Sequence, residues 1–247
     1  MNTFAVNPAN GSAVLTGYTH DLSDEMPNAR IRPAVLIFPG GGYRICSDRE
    51  AEPVALAYLA EGYNAFVLRY SVGPEEPLLK SFSDANAAVL YLHKHAEELN
   101  IDKNKIVLAG FSAGGHLAAW VSVCGKQKPA AVILGYPVIT AEAKRKTGKD
   151  FPEICGRVDG ETPPTFIFST RNDPVVPITH SLQYAAALEK ANVAFELHIF
   201  GDGEHALSLA KTFTSAGKAK LVNADAASWF PLSVNWLKRL LGDFEAG

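Results

Sequence analysis

Gly110-Phe111-Ser112-Ala113-Gly114-Gly115 lies between the apolar run Lys105-Ile106-Val107-Leu108-Ala109 and the apolar stretch His116-Leu117-Ala118-Ala119-Trp120-Val121. The first run reads as a buried parallel strand and the second as the start of a well-packed helix. A strand that turns abruptly into a helix through G-x-S-x-G holds its serine on a strained elbow, with the hydroxyl protruding. Small residues are needed there because side chains at Gly110 or Gly114 would collide with neighbouring backbone. Out of that context two glycines around a serine are only a tight turn. Within it, Ser112 is predicted to be a nucleophile, and the chain a hydrolase.

A serine nucleophile needs a histidine to take its proton and an acid to orient that histidine. Four histidines follow Ser112. His116 falls one turn inside the helix opened by the elbow and suits a core or supporting role. His198 belongs to the alternating strand Phe195-Glu196-Leu197-His198-Ile199-Phe200 and leaves from a sheet face. His180 opens a helix after Val176-Pro177, where polar residues cap or face solvent. His205 instead follows a strand, in Gly201-Asp202-Gly203-Glu204-His205-Ala206, at the carboxyl edge where open α/β sheets bind ligands. It is the expected base.

The acid should also leave a loop after a strand. Glu142, Asp150, Glu153, Asp159 and Glu161 lie in a polar stretch, Glu189 on an amphipathic helix and Glu196 in a strand. Asp173 follows the apolar run Thr165-Phe166-Ile167-Phe168-Ser169-Thr170 and precedes Pro174-Val175-Val176-Pro177, which stiffens the turn. Asp173 is therefore the expected acid, with Asp202 and Glu204 of the histidine's own loop as the alternative. An Asx turn or helix cap is the plainer role open to Asp173.

Negative charge on an attacked carbonyl oxygen needs backbone NH donors. Ala113 should supply one. Another should come from the loop Pro39-Gly40-Gly41-Gly42-Tyr43, which follows the strand Ala34-Val35-Leu36-Ile37-Phe38. Proline has no NH, so the donors must come from the glycines, with Gly41 and Gly42 favoured.

These blocks, together with Gly62-Tyr63-Asn64-Ala65-Phe66-Val67-Leu68-Arg69-Tyr70, Asp173-Pro174-Val175-Val176-Pro177 and Gly203-Glu204-His205, resemble the α/β-hydrolase superfamily along nearly the whole chain. Within it the chain is similar to acetylxylan-esterase-like carbohydrate esterases, a group related to hormone-sensitive lipases. The resemblance implies a triad of Ser112, Asp173 and His205, an oxyanion hole of Gly41, Gly42 and Ala113, a substrate-binding role for Tyr43, and no cofactor or metal. It also implies an acyl-enzyme route acting on small-molecule esters, foremost acetylated sugars or xylo-oligosaccharides. A broad-specificity carboxylesterase and a non-catalytic binding module on the same fold remain alternatives, and peptidase activity ranks lower. Pro39 departs from the histidine that begins the glycine loop in hormone-sensitive lipases. The short segment between Tyr136-Pro137-Val138 and Pro163-Pro164 replaces a longer cap, which implies an open site.

Composition agrees with this frame. A chain of 247 residues, 47% hydrophobic, fits one α/β domain over 1–247, and a net charge of −3 without a basic stripe argues against nucleic acid or an acidic membrane surface. Lys144-Arg145-Lys146 reads as a solvated loop. Cys46, Cys124 and Cys155 are odd in number and lack metal-ligand spacing, which suits free thiols and a cytoplasmic location. The beginning of the chain lacks the basic start and apolar run of a secretory signal, and no stretch is apolar enough to span a bilayer. Homo-oligomerisation is left open. Strands are expected over 34–38, 64–70, 105–110, 131–135, 165–170 and 194–200, with others before Asp21. Helices are expected at 53–60, 83–99 and 182–190 and from Ala226, where Pro231 marks a kink or fresh start. This alternation predicts a mostly parallel central sheet with helices on both faces and a small cap. His93 and His95, two apart on a helix, point in different directions and read as a solvated face.

Overall fold

The computed structural model describes residues 1–9, 11–140 and 151–244. In chain order it contains β1 (Asn2–Val6), β2 (Val14–Thr19), β3 (Arg32–Phe38), α1 (Glu52–Ala60), β4 (Asn64–Arg69), α2 (Leu78–Lys94), β5 (Ile101–Phe111) and α3 (Ala113–Cys124). There follow β6 (Ala131–Gly135), β7 (Thr165–Thr170), α4 (Thr179–Lys190), β8 (Phe195–Phe200), the single turn α5 (Ala224–Ala227) and α6 (Trp229–Leu241). The strands form one sheet in the order β1-β2-β4-β3-β5-β6-β7-β8. Every pairing from β4 through β8 is parallel, and the strands before Asp21 add an antiparallel hairpin at one edge.

Alternation along each strand divides the core in two. In β3, Ala34, Leu36 and Phe38 join the cluster that includes Phe82 and Val89 of α2, Leu117 of α3 and Leu188 of α4. Val35 and Ile37 join the opposite cluster, with Tyr58 of α1 and Trp229, Val234 and Leu237 of α6. Helices thus cover both faces, which is why β3, β5 and β6 carry few polar residues in their centres. Trp229 is fully buried and stacks on Phe168 with ring centroids 4.4 Å apart and planes 5° apart. Such a pair adds about 0.5–1.5 kcal/mol beyond its buried area.

The largest differences from expectation are at α2 and β5, and α4 begins at Thr179 rather than 182. The second helix spans Leu78–Lys94 rather than 83–99, because Pro77, extended at φ −63° and ψ 139°, fixes where it begins, and Asn100 at φ 51° turns the chain into β5. β5 starts at Ile101 instead of 105 and pairs with Arg32 across an irregularity in register. Pro231 lies in the first turn of α6, a fresh start after α5, where its missing NH costs no helical bond. Glu142, Asp150 and Lys144-Arg145-Lys146 lie outside the described residues, as does 141–150 of the expected cap.

Candidate active site

Parallel strands aim the loops after β3, β5, β7 and β8 at the same sheet edge. After β5 the chain turns through Ser112, whose φ of 52° and ψ of −115° place it in a conformation rarely held by residues other than glycine. Several hydrogen bonds hold it there. Its NH donates to the Gly135 carbonyl at 2.9 Å, and its own carbonyl accepts from the NH groups of His116 at 3.0 Å and Val138 at 3.1 Å. The crowding expected around the elbow is present. A Cβ on Gly114 would lie 2.0 Å from the Phe38 carbonyl oxygen, and one on Gly110 would lie 2.3 Å from that of Gly114.

The structure brings Ser112, His205 and Asp173 into one hydrogen-bonded line. Ser112 Oγ lies 2.8 Å from His205 Nε2, and His205 Nδ1 lies 2.7 Å from Asp173 Oδ2. A carboxylate only accepts, so Nδ1 carries the ring proton and Nε2 is left to accept from the serine hydroxyl. Asp173 is itself fixed, since Oδ1 accepts the NH groups of Val175 at 2.8 Å and Val176 at 2.9 Å. The cap-like role considered for this residue and the acid role thus use different oxygens of one carboxylate. The alternative acids turn elsewhere: Asp202 accepts from Asn172 Nδ2, and Glu204 Oε1 pairs with Lys220 Nζ at 3.2 Å. The histidine loop is tied down by Thr170 Oγ1, which donates to the Gly203 carbonyl at 2.8 Å, and by the Gly203 NH, which donates to Asn172 Oδ1 at 2.9 Å.

In the glycine loop the Gly40 NH is already engaged, donating to Glu50 Oε2 at 2.8 Å. Among the described residues none accepts from the NH groups of Gly41, Gly42 or Ala113, and all three residues line the cavity. Gly41 has a φ of +132°, and a Cβ there would lie 2.2 Å from the Ile45 carbonyl oxygen, so only glycine fits. Tyr43, expected to bind substrate, is a correction. It is fully buried and absent from the cavity wall, because at φ 58° the chain turns its ring inward. There its hydroxyl donates to His116 Nδ1 at 2.9 Å. His116 is the core residue expected, and burial lowers its pKa to about 3, so the ring stays neutral. His180 is a second correction: it is 3% exposed, lines the cavity, and accepts the NH groups of Ile139 at 3.0 Å and Thr140 at 3.1 Å on Nδ1. His198 stacks on Phe166 within the sheet layer, and His95 pairs with Glu98.

Glu50 is the residue sequence reasoning missed. It is 1% exposed and lines the same cavity, yet each carboxylate oxygen has a donor, the second being the Tyr136 hydroxyl at 2.6 Å from Oε1. The cavity holds about 440 Å³ over Ser112 and His205, with Val138, Phe151, Val175 and Val176 forming its apolar walls. That volume suits a small-molecule ligand. Among the described residues no group of three or more His, Cys, Asp or Glu could hold a metal ion, and no helix is long and apolar enough to cross a membrane.

Residues 22–147, just over half of the chain, match the BD-FAE family model. The chain belongs to the BD-FAE family of α/β-hydrolases. The BD-FAE match carries the glycine loop and Ser112, while residues 153–230, which carry Asp173 and His205, match the prolyl oligopeptidase family. MGS-M1, an α/β-hydrolase enzyme from a Medee basin deep-sea metagenome library, is 46% identical, with a TM-score of 0.93 and 98% of both chains covered. An acetyl ester-xyloside bifunctional hydrolase from Caldicellulosiruptor lactoaceticus is 32% identical, with a TM-score of 0.81 over 95% of this chain and 90% of that one. An acetylxylan esterase of Xylanibacter ruminicola is 28% identical over 76% of this chain and 43% of its own length. The chain spans less than half the length of the curated relatives it matches.

Proposed function

We propose that this chain is a serine esterase that cleaves short-chain esters, foremost acetyl esters of sugars or xylo-oligosaccharides, through an acyl-enzyme. The observation that carries the reading is the line Asp173–His205–Ser112, with spacings of 2.7 and 2.8 Å at the floor of an open cavity. In the first step Ser112 Oγ attacks the ester carbonyl while His205 Nε2 takes its proton. Asp173 holds the imidazolium, and the NH groups of Ala113, Gly41 and Gly42 face the developing oxyanion. His205 then returns the proton to the departing alcohol. A water, deprotonated by the same nitrogen, cleaves the acyl-enzyme and frees the acid. One donor in such a hole contributes about 3–4 kcal/mol to the barrier reduction.

The carbohydrate part rests on the relatives named for acetylated xylan and xylosides. The mainly apolar wall of Val138, Phe151, Val175 and Val176 supports a second reading, a broad-specificity carboxylesterase for small esters. A cytoplasmic site is supported by three free cysteines. A fluorophosphonate should label the wild-type protein and fail to label Ser112→Ala; an unlabelled wild type would favour a binding module. Acetate release from acetylated xylo-oligosaccharides is then compared with that from aryl acetates, and a much lower kcat/KM on the sugars discards the carbohydrate assignment.

A further inference from the structure

Glu50 and Arg49 are supplied by a segment that contributes nothing to the triad, yet they reach both halves of the candidate site. The chain of donors has one consistent direction. The Ser208 NH donates to the Tyr136 hydroxyl at 2.9 Å, that hydroxyl donates to Glu50 Oε1 at 2.6 Å, and the Gly40 NH donates to Glu50 Oε2 at 2.8 Å. Both groups donate to Glu50, and a carboxylate accepts from both; an amide that keeps its oxygen on the Gly40 NH sets its NH₂ towards the Tyr136 oxygen and leaves the hydroxyl proton without its acceptor, whereas the flipped amide sets NH₂ against the Gly40 NH. Glu50, Tyr136 and Ser208 are at most 2% exposed, so water does not replace a lost partner.

A second bridge runs beside the first. Arg49 Nη1 donates to the carbonyls of Ala206 at 2.8 Å and Thr214 at 3.1 Å, and the Arg49 carbonyl accepts the Ser208 hydroxyl. Ala206, adjacent to His205, has a φ of 61°, and Ser208 has 55°. The segment after the histidine is thus held in a left-handed conformation by bonds to residues 49 and 136 rather than by its own sequence. The Tyr136 ring also meets the His205 ring edge to face, with centroids 5.0 Å apart.

We infer that Glu50, acting with Tyr136 and Arg49, is a positioning residue that joins the oxyanion loop to the histidine loop. It fixes the Gly40 amide so that the amides of Gly41 and Gly42 face the reacting carbonyl while His205 stays on Ser112. The inference rests on the esterase reading, and it assigns Glu50 no contact with the reacting atoms. Its consequence falls on the transition state, since Val138, Phe151, Val175 and Val176, which form most of the apolar wall that holds the ground-state ester, come from other segments.

The test uses Glu50→Gln, Tyr136→Phe and the double variant of the full chain, with an aryl acetate as substrate and a short alkyl boronic acid as a tetrahedral mimic. Glu50→Gln should lower kcat about 100-fold, the effect of roughly an ångström of misplacement, with KM within about threefold of wild type. The boronate Ki should rise in parallel with the loss in kcat/KM. Tyr136→Phe keeps the Gly40 bond and should lower kcat about tenfold with the same signature. Because the two residues lie on one chain of bonds, the double variant should lose little beyond Glu50→Gln alone. Leu237→Ala, on the buried face of α6, should lower Tm without changing kcat and separates stability from positioning. Should Glu50→Gln not fold, Tyr136→Phe and the boronate series carry the test. Folded variants with kcat within about threefold of wild type, a loss expressed in KM, or losses that multiply in the double variant would each overturn the inference. An inactive, unlabelled wild type overturns the esterase reading and this inference with it, whereas an active wild type with unimpaired variants overturns only the inference.

Discussion

Asp173→Asn isolates what the buried carboxylate does. Oδ1 accepts two backbone NH groups, at 2.8 and 2.9 Å, whereas Oδ2 meets a single ring nitrogen at 2.7 Å. An asparagine will keep its oxygen on the two amides, because the reverse orientation sets an NH₂ against two donors in a site where the side chain is 1% exposed. Its NH₂ must then donate to His205 Nδ1. The imidazole responds by carrying its proton on Nε2, which now points an NH at Ser112 Oγ and cannot take the hydroxyl proton. The fold is preserved and the tautomer is wrong. In the serine-protease template this change costs about 10⁴ in kcat, or about 5.4 kcal/mol at 1.36 kcal/mol per tenfold. We expect the same order here, with KM and Tm nearly unchanged. Steady-state hydrolysis of an aryl acetate alongside thermal unfolding measures both. A loss smaller than about 100-fold in a variant of native Tm would show that Asp173 does not set the tautomer.

Other perturbations follow from the same geometry. Gly41→Ala must displace the Ile45 carbonyl, 2.2 Å from the new Cβ, and should lower kcat about 100-fold; unchanged kcat would remove Gly41 from the oxyanion hole. His116 has a folded pKa of about 3 against an ordinary 6.5, so the unfolded chain binds the extra proton between those values. Its contribution to stability is complete above pH 6.5 and is lost at up to about 1.4 kcal/mol per pH unit as pH falls towards 3. Its ring resonances should not titrate between pH 5 and 8, and a midpoint near 6.5 would contradict the burial. Burial pushes the thiols of Cys46 and Cys155 up to about 11, so at pH 8 each should react with a disulfide reagent more than about tenfold slower than free cysteine; rates matching free cysteine would refute this.

The triad candidates were legible because each sits where a strand ends, and strands of this sheet announce themselves as short apolar runs between turn residues. Ser112, Asp173 and His205 needed only local context and chain order. The side chains that support them did not obey local rules. Tyr43 ends a glycine-rich loop, where an aromatic ring looks available to a ligand, but the direction it takes depends on a backbone sign that the preceding glycines leave open. His180 opens a helix in the position of a solvent-facing cap, and is buried by amides of residues 139 and 140, some forty positions earlier. Glu50 lies in Asp48-Arg49-Glu50, which reads as a polar turn ahead of the nucleophile. Its hydroxyl partner is 86 residues away, a pairing no window of sequence displays. The boundary of α2 failed for a nearer reason, since the helix begins directly after the extended Pro77, five residues before the expected start.

The unusual dihedrals of Ser112 are imposed by carbonyls and amides of residues 135, 138 and 116, and by the closeness of β3 to Gly114, none of which involves Oγ. The mould is therefore indifferent to what it presents. Ser112→Ala should cast the same cavity with the reaction disarmed, giving a receptor in which intact esters can be soaked and watched by diffraction. Ser112→Cys would offer a thiol at the same spot for covalent capture of candidate acyl groups.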